Sequence, residues 1–125
     1  MNSTMRHELT REQADGIRAS IQPICENVEG LRHSANIEHV PYGDLRNGDI
    51  IWIAGYAMVV GNIRSYPQTD NSPDIIRFNG TMVDPDTDVT HTGYDGGTYG
   101  AHAEIIASIV NRDLVRKLLA DGAQG

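Results

Sequence analysis

The stretch from His91 to His102, HTGYDGGTYGAH, carries the residue types that could most readily do chemistry. It contains four glycines and two tyrosines, with a histidine at each end. Glycines let a ligand approach the backbone and leave amide donors uncovered, and tyrosines offer flat rings and hydroxyls. The preceding predicted strand, DIIRFNG, adds a cation, an aromatic ring and an amide at Arg77, Phe78 and Asn79. The predicted ligand- or partner-binding residues are Arg77, Phe78, Asn79, Tyr94, Gly96, Gly97 and Tyr99.

Two kinds of binding fit this set. A protein partner could contact the acidic, tyrosine-bearing surface, since aromatic residues concentrate binding energy. Alternatively, a nucleotide-like small molecule could be sequestered in a pocket at Gly93 to Gly100. A third interpretation is structural: the loop bends and its tyrosines pack on a sheet edge. In each case we expect at least one of Gly93, Gly96 and Gly97 to have a positive φ.

Oxygen-bearing side chains alternate from Asp84 to Asp95 with the spacing of a calcium-binding loop. However, Val89 stands where the loop needs glycine, and Asp95 is shorter than the usual glutamate at the last position. Alternating aspartates are also ordinary turn residues, because their side chains bond to nearby backbone amides. The turn is the preferred interpretation. The alternative is a calcium site at Asp84, Asp86, Asp88 and Asp95.

Enzymatic chemistry has weaker support in the sequence. His102 and Glu104 have the His-x-Glu spacing of zinc deaminases, but that site also needs thiolates and the chain has one cysteine, Cys25. His91 could still join them around a metal. There is no Gly-x-Ser-x-Gly, P-loop or Gly-x-Gly-x-x-Gly motif, and Cys25 lies among apolar residues, which predicts an inert thiol. We therefore expect a non-catalytic protein without a cofactor, with a small metal-dependent enzyme as the alternative.

Charge and composition narrow the partners further. The net charge is −7, and seven carboxylates face one cation, Arg77, between Tyr66 and Glu104. Duplex nucleic acid is therefore an unlikely partner, since it is bound mainly through Lys and Arg. No apolar run is long enough for a transmembrane helix, the first residues lack the apolar stretch of a secretory signal, and a single cysteine fits a reducing compartment. The prediction is a cytoplasmic protein with no membrane contact.

The N-terminal third reads as a helix. Thr10 and Gln13 form a capping box, and apolar residues then recur at steps of three and four from Ala14 to Leu31. Pro23 predicts a break near residues 20–22. The apolar stripe either packs on the body of the domain or pairs with a second copy, so the sequence also predicts a possible homo-oligomer through this helix.

The rest of the chain reads as strands followed by a helix. The runs Ile50–Ala54 and Met58–Ile63 predict a hairpin. Further strands are predicted at DIIRFNG, at TMV and over 101–110, although the adjacent pairs Ile105-Ile106 and Ile109-Val110 would also suit a helix over 101–110. The last helix is predicted to end with Gly122 as its cap. One sheet-based core should bury Ile51, Ile53, Val59, Ile76, Phe78, Ile105 and Ile109, with Trp52 partly exposed or shielded by the first helix.

The predicted fold class is thus α+β: an N-terminal helix, a small antiparallel β-barrel or bent sheet of four to five strands, and a short C-terminal helix. The predicted organisation is one domain over residues 1–125. It comprises a helical segment at about 10–32, a β core at about 47–110 and a helix at about 111–121.

Two resemblances add to this. The run DLRNGDIIWIAGYAMVVGNI, Asp44 to Ile63, resembles the opening of SH3-like small barrels, where a turn with Gly-Asp precedes the first strand and a valine-rich second strand follows. The runs IIRFNG and TGYDGGTYGAH are similar to segments of small uncharacterised accessory proteins of tailed phages. The second resemblance implies a phage-encoded protein of the host cytoplasm. Its partner would be a host or viral protein, as for an inhibitor of a host defence protein.

Overall fold

The computed structural model describes residues 9–69, 71–84 and 96–124. These residues form an α+β fold with one antiparallel sheet and helices at both ends, as predicted. The helices are α1 (Arg11–Ser20), α2 (Gln22–Cys25), α3 (Val28–Leu31) and α4 (Arg112–Gln124). The strands are β1 (Ile37–Pro41), β2 (Ile50–Ile53), β3 (Tyr56–Tyr66), β4 (Ile75–Met82), β5 (Gly97–His102) and β6 (Ile106–Val110).

The start of α1 and its end follow the sequence signals. The Thr10 side chain accepts a hydrogen bond from the Gln13 amide, and the Gln13 side chain accepts one from the Thr10 amide, which confirms the capping box. The helix stops at Ile21, two residues before Pro23, where φ is −121° and ψ is 30°. The predicted break is confirmed, because proline cannot continue the helical hydrogen-bond pattern.

The sheet must curl strongly. Its strand order is β1-β6-β2-β3-β4-β5, so β5 and β6 lie four places apart, yet only residues 103–105 join them. Four strand spacings in a flat sheet would be about 19 Å, whereas the chain from His102 to Ile106 reaches at most about 14 Å. The bent sheet is confirmed. The predicted count of four to five strands is wrong, since the described residues form six.

One strand that the sequence analysis missed is β1. The segment Ile37–Pro41 forms β1, ahead of the predicted β core that began near residue 47. It pairs with β6, from Ile37 opposite Val110 to Pro41 opposite Ile106. This strand has no clear apolar pattern, because it mixes polar and apolar residues and ends in proline. Both features are tolerated on an edge strand.

Three predicted boundaries also need correction. Residues 101–110 are not one strand, because β5 ends at His102 and a turn at 103–105 leads into β6. The TMV segment is no separate strand either, since Thr81 and Met82 complete β4. Helix α4 continues through Gly122 to Gln124, so Gly122 does not cap it.

The sheet separates two apolar cores, where the sequence predicted one. The curled sheet itself encloses an inner core: Leu45, Ile51, Met58, Val60, Phe78, Met82, Ala107 and Ile109. Helices cover the other side and form an outer core: Ile21, Ile24, Leu31, Ile50, Ala57, Val59, Val83, Val110 and Val115. Of the predicted core residues, Ile53 is only half-buried, and Ile105 is 48% exposed because it lies in the turn before β6.

The apolar stripe of the N-terminal helices is used within the chain. Ala14, Ile21, Ile24 and Leu31 are buried, and the last three belong to the outer core. The stripe therefore packs on the body of the domain, which was one of its two predicted roles. None of the helices in the described ranges has the length and apolar content that crossing a bilayer requires.

Candidate functional site

Phe78 and Tyr99 lie in the inner core. The Phe78 side chain is 0% exposed, and its ring stacks on Tyr99 at 6.1 Å between centroids and contacts Tyr42 at 6.3 Å. Burial raises the pKa of the Tyr42 phenol. Since a ligand cannot reach the Phe78 ring in this arrangement, the predicted stacking role for Phe78 is not supported by the described geometry.

Asn79 lies on the opposite face of β4, as strand alternation requires. It is almost fully buried, and its Nδ2 donates to the Gly96 carbonyl at 3.0 Å. Its Oδ1 accepts hydrogen bonds from Asn62 at 3.2 Å and from Arg64 at 3.1 Å. Asn79 thus fixes the point at which the chain enters β5, which is a structural task.

Gly96 and Gly97 also have structural tasks. Gly96 has φ +82°, which confirms the predicted positive φ, and a Cβ there would lie 2.9 Å from the Leu9 Cβ. Its amide donates to the Gly80 carbonyl at 2.8 Å, and Gly97 is the partner of Gly80 in the ladder. These glycines allow β5 to start against the segment that precedes α1. Of the predicted residues that the structure describes, only Arg77 has an exposed side chain on the outer face.

Several predicted residues lie outside the described residues: Tyr94, His91, Asp86, Asp88 and Asp95. Asp84 is described and exposed after β4. Across the described ranges, no three His, Cys, Asp or Glu side chains are grouped closely enough to hold a metal ion.

The remaining enzymatic candidates have ordinary surroundings. His102 places its Nδ1 3.2 Å from the Pro73 carbonyl, and Glu104 is exposed in the turn before β6. Cys25 is half-buried, and burial raises the pKa of its thiol. A raised thiol pKa lowers the fraction of reactive thiolate, in agreement with the inert thiol that the sequence predicted.

A groove that the sequence analysis did not predict lies on the outer face of the sheet, beside Trp52 on β2 and Ser108 on β6. It encloses about 280 Å³ and is lined by Arg32, Ile37, Trp52, Gly55 and Ser108. We call it the Trp52 groove. The Arg32 guanidinium carbon lies 4.8 Å from the centroid of the Trp52 ring, a cation–π contact. Arg32 Nη1 also donates to the Gly55 carbonyl at 2.9 Å, so the cation is fixed over the ring.

The Trp52 ring retains an unsatisfied polar atom. Trp52 is half-buried beside the outer core, as the sequence predicted for a partly shielded residue. Its Nε1 is buried, and the described part of the chain offers it no hydrogen-bond acceptor. Leaving a buried donor unpaired costs about 1–3 kcal/mol.

Apolar surface continues from the groove toward the start of β6. Trp52 lies opposite Ser108, which lies opposite His39 on β1, and the Ser108 hydroxyl and His39 Nδ1 share a hydrogen bond of 3.2 Å. Ile106 is on the same face as Ser108 and is 59% exposed. This face is therefore the part of the outer sheet surface that the helices leave open.

The sequence held one hint of this groove, because Trp52 is the only tryptophan of the chain and was predicted to be partly exposed. Arg32 and Ser108 carried no such signal. Their position beside Trp52 depends on the pairing of β6 with β2 and on the turn after α3. Local sequence patterns predict neither of these features.

Comparisons with known proteins give a fold-level likeness only. No family model and no curated protein matches the sequence. Similar solved structures include eukaryotic translation initiation factor 5A from Methanococcus jannaschii, with TM-score 0.46, and a translation initiation factor eif-5a family protein from Naegleria fowleri, with TM-score 0.45. Each is 13% identical and aligns with 61% of this chain. The alignments span only about half of each structure, 51% and 48%.

Proposed function

We propose that this is a non-catalytic binding protein that docks a protein partner on the Trp52 groove and on the Ile106 surface beside it. The observation that carries the proposal is the open outer face. There, a half-buried tryptophan lies under an arginine, and an exposed isoleucine lies on the adjoining strand.

The residue types favour a protein over a small molecule. Tryptophan and arginine are the side chains most enriched at positions that dominate binding energy. At about 280 Å³, the groove lies just below the range of about 300–1,000 Å³ that encloses drug-sized ligands. The exposed Ile106 and Ile105 side chains extend the apolar surface beyond the groove. A groove of this size beside such a surface fits one apolar side chain of a larger partner.

The resemblance to phage accessory proteins supports a host or viral protein as that partner, met in the host cytoplasm. Inhibition of a host defence protein is one such role. The alternative, a nucleotide-like ligand at the glycine-rich loop, would have to bind without stacking on Phe78 or using Gly96, because Phe78 is buried and Gly96 is engaged in packing.

The test compares wild type with Ile106→Asp as baits in lysate of the native host, followed by binding measurements on the purified partner. Ile106 is exposed, so the charge should disturb docking without unfolding the domain. We expect affinity for the partner to fall about tenfold or more, the size of a hot-spot loss. Tyr66→Asp is the matched control, since Tyr66 is also a large exposed side chain but lies at the end of β3, a strand that does not pair with β6.

Thermal melting of both variants should stay within a few degrees of wild type. A purified partner that binds Ile106→Asp and Arg32→Ala as tightly as wild type would show that docking uses another surface.

A further inference from the structure

Two arginines face each other on adjacent strands of an acidic protein. Arg64 on β3 and Arg77 on β4 are direct partners in the antiparallel register. The register shifts between Gly61 and Arg64, and Asn62 there has φ +55°, so a bulge sets which β3 residue opposes Arg77. Like charges directly opposite each other destabilise a sheet, so this pairing needs a reason.

The Arg64 guanidinium is only partly satisfied. Its Nη1 donates to the Asn62 carbonyl at 3.0 Å and to Asn79 Oδ1 at 3.1 Å, both neutral acceptors. Its Nε and Nη2 are buried and have no hydrogen-bond partner among the residues that the structure describes. Arg77 is exposed. Over the described ranges, neither arginine has an ion pair with a carboxylate, and a half-satisfied buried cation is costly.

The other arginines show that carboxylates are within reach elsewhere in this chain. Five of them form ion pairs with Asp or Glu: Arg11, Arg18, Arg32, Arg112 and Arg116. Arg46 also has no ion pair within the described ranges, but it lies outside the strands and has no arginine opposite it. The pair on β3 and β4 therefore stands apart in combining mutual opposition with a lack of counter-charge.

A shallow groove of about 170 Å³ lies beside Arg77, between Ile75, Gly100, Ala101 and His102. A Cβ at residue 100 would lie 2.9 Å from the Arg77 Cγ. The Ile76 carbonyl oxygen would lie closer still, so a side chain at residue 100 would clash with backbone as well as with the Arg77 stem. Arg64 is not among the residues that line this groove, so an anion there would contact Arg77 first. The groove has room for one small oxyanion, given that a water takes about 30 Å³ of liquid volume.

We propose that Arg64 and Arg77 form a binding site for a phosphoryl group of a small-molecule ligand. Guanidinium forks match phosphate oxygens with two parallel hydrogen bonds, and two cations suit a dianion better than the single charge of a carboxylate. An anion between the strands would remove the like-charge repulsion. Arg77 would turn to admit it, giving the buried Arg64 donors an acceptor. This site lies outside the Trp52 groove and does not depend on the proposed partner.

Isothermal titration at low ionic strength tests the site with inorganic phosphate, pyrophosphate, ADP and, as a carboxylate control, acetate. We expect pyrophosphate and ADP to bind, and Arg77→Gln to weaken both about tenfold through loss of charged hydrogen bonds. The matched control is Arg46→Gln, which removes the same charge from an exposed arginine that has no ion pair within the described ranges. It should change affinity less than about twofold.

The outcomes separate the ligand sources. Equal affinity for pyrophosphate and ADP indicates recognition of the anion alone, whereas tighter ADP binding indicates added contact with the nucleoside. The proposal is overturned by any of three results. These are no binding of any phosphoryl probe at millimolar concentration, equal losses in Arg77→Gln and Arg46→Gln, or acetate binding as strongly as phosphate.

Discussion

Phe78 shows how one side chain can change roles between sequence and structure. Its position beside Arg77 and Asn79 suggests a binding ring, but strand alternation sends it to the inner core, where it contacts Tyr42 and Tyr99. The same alternation leaves Arg77 on the outer face. The residues predicted to share a site are therefore divided by the sheet.

Truncation of this ring should be costly. We expect Phe78→Ala to lower the free energy of unfolding by about 3–5 kcal/mol, because it removes a fully buried aromatic and leaves a cavity. Urea unfolding followed by circular dichroism measures the loss, and Phe78→Leu should lose less. A loss below about 1 kcal/mol would place the ring in solvent or against a ligand and revive its predicted binding role.

Single residues could be predicted where their signal is local. Gly96 was among three candidates for a positive φ, and Trp52 was predicted to be partly shielded. Arg64 could not be found, because the β-bulge that sets it opposite Arg77 has no mark in the sequence. Asn79 was selected as an amide for a ligand, whereas its amide holds the Gly96 carbonyl.

Among the elements, α4 is held to the sheet by a buried ion pair. Asp49, just before β2, accepts hydrogen bonds from Arg112 at 3.0 Å to Oδ1 and 2.9 Å to Oδ2. The Asp49 side chain is 5% exposed, and Asp49 Oδ2 also accepts the Arg46 amide. This fork ties the first turn of α4 to the start of β2.

Asp49→Asn should leave Arg112 without its counter-charge. We expect the free energy of unfolding to fall by about 2–3 kcal/mol, somewhat less than for a fully buried pair because Arg112 keeps some solvent contact. The control is Asp113→Asn, which breaks the exposed pair with Arg116 and should cost at most about 0.5 kcal/mol. Equal losses in the two variants would contradict a special role for Asp49.

Elements with strong local signals were predictable, and those defined by pairing were not. The start of α1 and its break at Ile21 follow from a capping box and a proline. Strand β1 was missed because edge strands can carry polar residues and proline. The turn between β5 and β6 was read as strand, since Ala103 and Ile105 continue the alternation of apolar residues and only the curl of the sheet requires a turn there.

For the whole molecule, burial of the N-terminal stripe changes the expected assembly. The predicted homo-oligomer relied on a free apolar face on these helices, but Ile21, Ile24 and Leu31 are in the outer core. We therefore expect sedimentation velocity at micromolar concentration to show a 13.7 kDa monomer. A dimer that Ile106→Asp dissociates would instead show that the Trp52 groove and its surroundings bind a second copy.

The partnership of β1 with β6 has a consequence for how the chain reaches this fold. Ile37 finds its ladder neighbour at Val110, and β6 also supplies the partner of β2. A nascent chain that has been synthesised only as far as β4 can form the β2–β3–β4 meander. Its first strand, β1, cannot pair within the chain until β6 has been synthesised. Since contacts between distant residues slow folding, we expect the β1–β6 ladder to form late, and β1 can pair with strands of other chains until β6 has been synthesised.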